Sequence, residues 1–200
     1  MKPLVLASAS PRRKELLHQI GLQFEVEPSH VPEEMPSDLS PHLLARRISA
    51  EKARAVAANR KDALIIAADT FIVVDGKILG KPHTSEEAYR MLSLLNGRTH
   101  SVITGFTLLD AASGKMASDS VETKVRMKNA DRGELEAYVR SGEPLGKAGA
   151  YAIQGLGAVL IEGIEGDYSN VVGLPLRALA EALRQFGIEV LPTEESEPPR

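Results

Sequence analysis

Ser8, Ser10, Arg12 and Arg13 are crowded into Ser8-Ala9-Ser10-Pro11-Arg12-Arg13, where an apolar run, Leu4 to Ala7, gives way to a helical pattern. Ser10 can cap that helix and Pro11 can open it. The N–H groups of a helix's first turn lack intrahelical partners, so they form a natural anion site. Two arginines there oppose a helix dipole that is already positive at this end. A local conflict of this kind is expected at functional sites. An anion resolves it, because guanidinium forks, hydroxyls and N–H groups all suit phosphate oxygens. The alternative is that both arginines are solvated or pair with surface carboxylates.

A carboxylate stands in a second such position. Leu64 to Ala68 is wholly apolar and delivers Asp69-Thr70. Ligands of α/β sheets bind beyond the carboxyl ends of strands. An aspartate there is either a cap or a metal ligand or base. Phe71 to Val74 is strand-like, which weakens the capping alternative. Hydrolysis of a phosphoanhydride needs cationic charge on the phosphates, a positioned and deprotonated water, and a stabilised leaving group. Asp69 can be general base, metal ligand or both.

Lys52 shares a helical stripe with Ile48 and Val56, where the commoner arrangement is a packed stem with the amine reaching water. Lys81 precedes Pro82, which holds it extended. Gln154 stands among the glycines and alanines of Lys147 to Gly157, where backbone can approach a ligand closely; the alternative is a tight packing loop.

Other chemistries are excluded or unsupported. The chain has no cysteine, which removes disulfides, thiolate zinc sites and cysteine nucleophiles and fits the cytoplasm. His18, His30, His42, His83 and His100 lack zinc-ligand spacing. Gly142 to Lys147 is one residue too short for a P-loop and lacks the following Ser or Thr. A net charge of -3 and 4% aromatic residues argue against a nucleic-acid polymer as partner. The longest apolar run, Ala63 to Ala68, cannot span a membrane.

The elements that must position these residues follow from pattern. Strands are expected at Leu4 to Ala7, Gln23 to Glu27, Leu64 to Ala68, Ser101 to Leu109, Met116 to Met127 and Ile188 to Leu191. A hairpin turning at Asp75-Gly76 is expected over residues 71 to 79. Helices are expected over Pro11 to Ile20, from Pro41 to about Asn59 behind a Ser40 cap, Ser85 to Leu95, Asp131 to Arg140 and Leu174 to Phe186. Ser29 to Leu39 reads as a polar, proline-bearing loop, and Gly142 to Gly173 as a glycine-rich stretch. Crossovers combined with long hairpins predict an α/β fold, a mixed twisted sheet with flanking helices. The acidic, proline-bearing stretch over 192–200 is expected to be a disordered tail.

Five stretches, in order, resemble the Maf family: Leu6 to Leu17, Glu51-Lys52-Ala53, Ala67-Ala68-Asp69-Thr70 with Gly80-Lys81-Pro82, Lys147 to Gly155, and Tyr168 to Leu176. The resemblance implies one domain over 1–191, with two lobes around a cleft, a fold shared with the inosine triphosphate pyrophosphatases, and a homodimer. It implies a nucleoside triphosphate pyrophosphatase that cuts between the α and β phosphates with Mg²⁺ or Mn²⁺. Asp69 matches the proton acceptor, and Asp69 with Glu33 the metal position. Ser8, Arg12, Arg13, Glu33, Lys52 and Lys81 match polar cleft positions. Arg12, Thr70 and Gln154 match the specificity positions of a branch that prefers dTTP, UTP and modified pyrimidine nucleotides. The alternatives are a 7-methyl-GTP enzyme on the same scaffold, or a regulator of septum formation acting by binding. Two positions depart from the family pattern: Gly146 replaces the usual Asp, and Asp167 the usual Ser.

Overall fold

A computed structural model of the chain describes residues 2–31 and 39–191. Glu33 and the 192–200 tail lie outside the described residues. The strands are β1 (Leu4–Leu6), β2 (Glu25–Val26), β3 (Leu64–Val74), β4 (Lys77–Leu79), β5 (Thr99–Asp110), β6 (Met116–Met127) and β7 (Ile161–Glu165). The helices are α1 (Pro11–Gln19), α2 (Pro41–Ala57), α3 (Ser85–Leu95), α4 (Arg132–Arg140), α5 (Tyr168–Val172) and α6 (Leu176–Arg184). The sheet runs β2-β1-β3-β5-β6-β7, and β4 also pairs with β3. The pairs among β1, β2 and β3 are parallel, and the rest are antiparallel.

Local chemistry explains most boundaries. Ser40 accepts from the Leu43 N–H and caps α2, with Pro41 at its first position. Asp131 and Glu134 form a reciprocal capping box on α4. The hairpin turns through Asp75 and Gly76, both with positive φ (49° and 73°), which matches the twist of the flanking strands.

β3 differs from the expectation that a strand ends at Ala68. It is one strand of 11 residues. β5 pairs with it from Leu64↔Asp110 to Val73↔Ser101, and this ladder carries Asp69 and Thr70 through the strand interior. The expected strand at Ile188 to Leu191 is absent. Ile188 N–H bonds the Leu183 carbonyl and its side chain joins the core beside α6, so the segment closes the helix. The glycine-rich stretch Gly142 to Gly173 contains regular elements. It holds β7, α5 and two 3-10 turns, Ala148–Ala150 and Leu156–Leu160. A register shift at Arg126/Met127 breaks the period-two pattern of β7, and α5 is only five residues long, so neither has a readable periodicity.

The two sheet faces are covered differently. α2 lies over one face, burying Leu44, Ile48, Ala53 and Val56 against Ile65, Ala67 and Phe71. On the other face, α1 and α6 cover one end and α3 and α4 the other. Ile153 packs against both of these clusters. No helix among the described residues is long and apolar enough to cross a membrane.

α2 sits close to the sheet because β5 has a glycine beneath it. A Cβ on Gly105 would fall 2.3 Å from the Ala45 carbonyl carbon and 2.6 Å from the Arg46 nitrogen, both backbone atoms that cannot swing aside. We expect Gly105→Ala to lower the unfolding free energy by about 2 kcal/mol, the scale of core overpacking. A urea titration measures this, and an unchanged midpoint would contradict the packing argument.

Candidate active site

β1 pairs with β3 only as far as Leu6↔Ile66, and β4 begins only at Ile72↔Leu79. Between these partners the outer edge of β3 carries no strand among the described residues. Asp69 and Thr70 lie in this gap. It is therefore β1, rather than β3, whose carboxyl end opens the site. A cleft of about 540 Å³ lies here, lined by the Ser8 to Arg13 turn, Lys52, Asp69, Thr70, Lys81, the Leu145 to Ala148 segment, Tyr151, Ile153 and the Val171 to Gly173 turn.

Strand alternation sends Asp69 and Thr70 to opposite faces. Asp69 turns towards α2, where Lys52 Nζ donates to its Oδ1 at 2.5 Å. Only 4% of Asp69 and 7% of Lys52 is exposed. Lys52 is thus not a snorkelling residue: its amine turns onto the Asp69 carboxylate at the cleft instead of out to the surface. Asp69 Oδ2 is buried and has no hydrogen-bond partner among the described residues.

Thr70 faces α1. Arg13 Nη2 donates to Thr70 Oγ1 at 3.1 Å, and Thr70 lies 2.9 Å from Thr104 Oγ1. Thr104 donates to the Asn170 carbonyl at 3.1 Å. Each hydroxyl has one proton, so the order must run from Arg13 to Thr70 to Thr104 to Asn170. Arg13 also donates to Ser8 Oγ (3.1 Å) and to the Gly173 carbonyl (2.8 Å). Arg13 therefore braces the cleft, joining α1, β3 and the end of α5.

The two arginines of the expected anion site separate in role. The Arg12 side chain makes no hydrogen bond among the described residues. Burial pushes its guanidinium below its ordinary value, opposed by nearby Tyr138 and the carboxylates of Glu143 and Glu15. Ser10 occupies the cap position of α1 but makes no side-chain cap bond, and Ser8 Oγ accepts its N–H. Lys81 is exposed at the cleft, held between two backbone bonds, Gly149 N–H to the Gly80 carbonyl and Gly146 N–H to the Pro82 carbonyl. Gln154 is exposed and is not among the lining residues, although its neighbour Ile153 is.

Two residues of the cleft carried little signal as sequence. Lys147 lines it; burial and the charge of Arg12 push its amine down. Tyr151 lies 2.7 Å from His100 Nε2, and both are buried. A lysine or tyrosine in a glycine-rich run looks like a surface residue until the fold turns it inward. The departures have plain consequences. Gly146 gives the cleft rim no side chain. Asp167 caps α5 through the Asn170 N–H, a task serine also performs.

Among the lining residues, Arg12, Arg13, Lys52, Lys81 and Lys147 face a single carboxylate, Asp69. In a chain of net charge -3, that local excess of cations suits a polyanion. Comparison with known proteins gives the cleft a family. A family model for Maf-like proteins matches residues 3–186. The chain belongs to the Maf family. It is 50% identical over 191 residues to a dTTP/UTP pyrophosphatase of Pelotomaculum thermopropionicum, covering 96% of this chain and 100% of that one. A dTTP/UTP pyrophosphatase of Methanosarcina mazei is 51% identical over 191 residues, covering 95% and 97%. A third, from Moorella thermoacetica, is 50% identical over 190 residues, covering 95% and 98%.

The buried ionisable groups should show in stability. Lys52→Met leaves the Asp69 carboxylate buried without its cation and should cost about 3 to 5 kcal/mol in chemical unfolding. Lys52→Met with Asp69→Leu should recover most of this, since an apolar pair tolerates burial. Equal losses in the single and double variants would count against a dry ion pair. Burial also pushes the His100 imidazole from 6.5 down to about 4. Between those values the unfolded chain binds a proton that the folded chain does not. Stability present above about pH 6.5 is therefore lost as pH falls towards 4. At pH 5, His100 should account for about 2 kcal/mol of that loss. His100→Gln should flatten the profile of unfolding free energy against pH by this amount, and a parallel profile would contradict it.

Proposed function

We propose that the chain hydrolyses dTTP and UTP, and related modified pyrimidine nucleotides, to the nucleoside monophosphate and pyrophosphate. One observation carries this reading: among the described residues, a buried carboxylate has one oxygen committed to Lys52 and the other without a partner, inside a cleft whose remaining charges are cationic. The names of the relatives, and threonine directly after the aspartate, support pyrimidine substrates.

The proposed chemistry is an in-line displacement at the α phosphorus. Water supplies the new oxygen–phosphorus bond, and the bond from the α phosphorus to the α–β bridging oxygen breaks. Pyrophosphate leaves with the bridging oxygen, and Asp69 Oδ2 accepts the water's proton. Lys52 holds the carboxylate in one orientation through Oδ1. Arg12, Lys81 and Lys147 offset phosphate charge, and Ser8 and Ser10 offer hydroxyls to phosphate oxygens. Arg13 acts through the braces it makes to Ser8, Thr70 and Gly173. Thr70 and Arg12 are the proposed selectors of the base from within the cleft, with Gln154 proposed as a third from outside the lining, beside Ile153.

A divalent cation fits this donor set. Mg²⁺ is commonly held by one or two carboxylates together with substrate phosphates and water, and Asp69 Oδ2 is an unpartnered hard oxygen. Asp69, with Glu33 from outside the described residues, would hold Mg²⁺ or Mn²⁺. The cation would supply charge neutralisation on the phosphates.

The test is the purified protein with Mg²⁺ or Mn²⁺ against common and modified triphosphates, including 7-methyl-GTP. dTTP and UTP should give the highest kcat/KM, with monophosphate and pyrophosphate as products. Asp69→Asn should lower kcat by about 10³-fold, the scale of losing a general base, measured at a temperature where circular dichroism shows the variant folded despite the unpaired Lys52. Turnover like the wild type in that variant would remove the mechanism, and a preference for 7-methyl-GTP would remove the substrate assignment.

A further inference from the structure

The cleft wall that faces the basic turn of α1 is built on a residue outside the assigned chemistry. Glu143 follows α4 and is half-buried. Its Oε2 accepts the Leu156 N–H at 2.9 Å, and its Oε1 accepts the Gly157 N–H at 2.9 Å. The Tyr138 hydroxyl donates to Oε1 at 2.8 Å and accepts the Ala152 N–H at 3.2 Å. Lys147 Nζ closes the near side by donating to the Glu143 carbonyl at 2.5 Å.

One side chain thus fastens both ends of the segment from Ala152 to Gly157, directly at 156 and 157 and through Tyr138 at 152. Between the fastened points stands Ile153, which lines the cleft and packs against both core clusters of that sheet face. Gly155 leaves room for the fastening. A Cβ there would fall 2.1 Å from Glu143 Oε2, and its three nearest neighbours would all be carboxylate atoms of Glu143. Burial pushes the Glu143 carboxyl up, but the two N–H groups, the tyrosine hydroxyl and the Lys147 charge outweigh it and hold it below its usual range. These four partners favour a charged anchor in this place.

We propose that Glu143 is a positioning residue for substrate selection: its carboxylate fixes the 152–157 segment, and through Ile153 it sets the shape of the cleft that the nucleoside must fit. This rests on the cleft being the nucleotide site proposed above. Glu143 itself touches backbone and Tyr138, not the atoms that react. Loosening it should act on binding and discrimination, while Asp69 and Lys52, anchored on β3 and α2, keep the chemical step.

The experiment measures kcat and KM for dTTP, UTP and GTP with Mg²⁺ in the wild type, Glu143→Ala, Glu143→Gln, Gly155→Ala and the double variant Glu143→Ala/Gly155→Ala. Glu143→Ala should raise KM for dTTP and UTP about tenfold and narrow their advantage over GTP, with kcat within roughly threefold of wild type. Glu143→Gln has one acceptor oxygen for two N–H groups, so its KM should fall between the two. Gly155→Ala should reproduce the defect without removing a charge. In the double variant the added methyl no longer meets the carboxylate, so its effect should vanish instead of adding. An unchanged KM and an unchanged pyrimidine preference in Glu143→Ala would overturn the proposal. So would an equal fall in kcat for every nucleotide, or full additivity in the double variant. If Glu143→Ala does not fold, the Glu143→Gln and Gly155→Ala comparison decides by the same KM criterion. Wild-type protein inactive on all three nucleotides would sink the functional reading and this proposal together; an active wild type with indifferent variants would sink this proposal alone.

Discussion

A lysine and an aspartate held 2.5 Å apart, away from water, set the terms for the rest of this molecule. Charges removed from solvent are tolerated only when their geometry is fixed on both sides. α2 must therefore hold Lys52 at one height above the sheet, and β3 must hold Asp69 at one register. Gly105 permits the first by letting the helix backbone settle onto β5. The long β3–β5 ladder enforces the second. The pair leaves one aspartate oxygen uncommitted among the described residues, and the proposed proton transfer rests on that asymmetry.

The site exists because β3 changes partners along its outer edge. The parallel neighbour ends at Leu6 and the antiparallel neighbour starts at Leu79. The helices follow the same division, with α1 and α6 on one side and α3 and α4 on the other. The cleft is the interval between them. The segments that border it come from distant parts of the chain, so they need braces. Arg13 is one, joining the start of the chain to Gly173. Glu143 is another, fastening the opposite wall. Of the cations collected here, Arg12 keeps a guanidinium with no hydrogen bond among the described residues, half-buried in the cleft wall. A phosphate chain would meet preset charge rather than flexible surface side chains.

Much of this was legible in the residues themselves. The serine–proline start of α2, the Asp75-Gly76 hairpin and the capped α4 are encoded within a few positions each, because caps and tight turns are short-range physics. The basic turn at Ser8 to Arg13 and the carboxylate at Asp69 stood out because their types conflict with their surroundings. β7 and α5 did not stand out. β7 is defined by pairing with β6 across a register shift, and α5 is too short to show a period. Helical spacing places Lys52 on an apolar stripe and leaves a snorkelling amine and a cleft amine both open; only the approach of α2 to β3 shows its amine on Asp69.

The sequence by itself therefore determined the family, the fold class and the short-range caps and turns, and it proposed side chains suited to phosphate chemistry. Types and spacing carry that information without a third dimension. Only the tertiary structure decided what each of those side chains does. It separated Arg13, which braces, from Arg12, which stays available. It buried Lys52 against Asp69, placed that aspartate inside a strand, and left Gln154 exposed outside the cleft lining while its neighbour Ile153 lines it. The physical reason is that these roles depend on distances between residues far apart in the chain. Those distances are fixed by sheet pairing and by how closely a helix can approach it, and no local pattern records either.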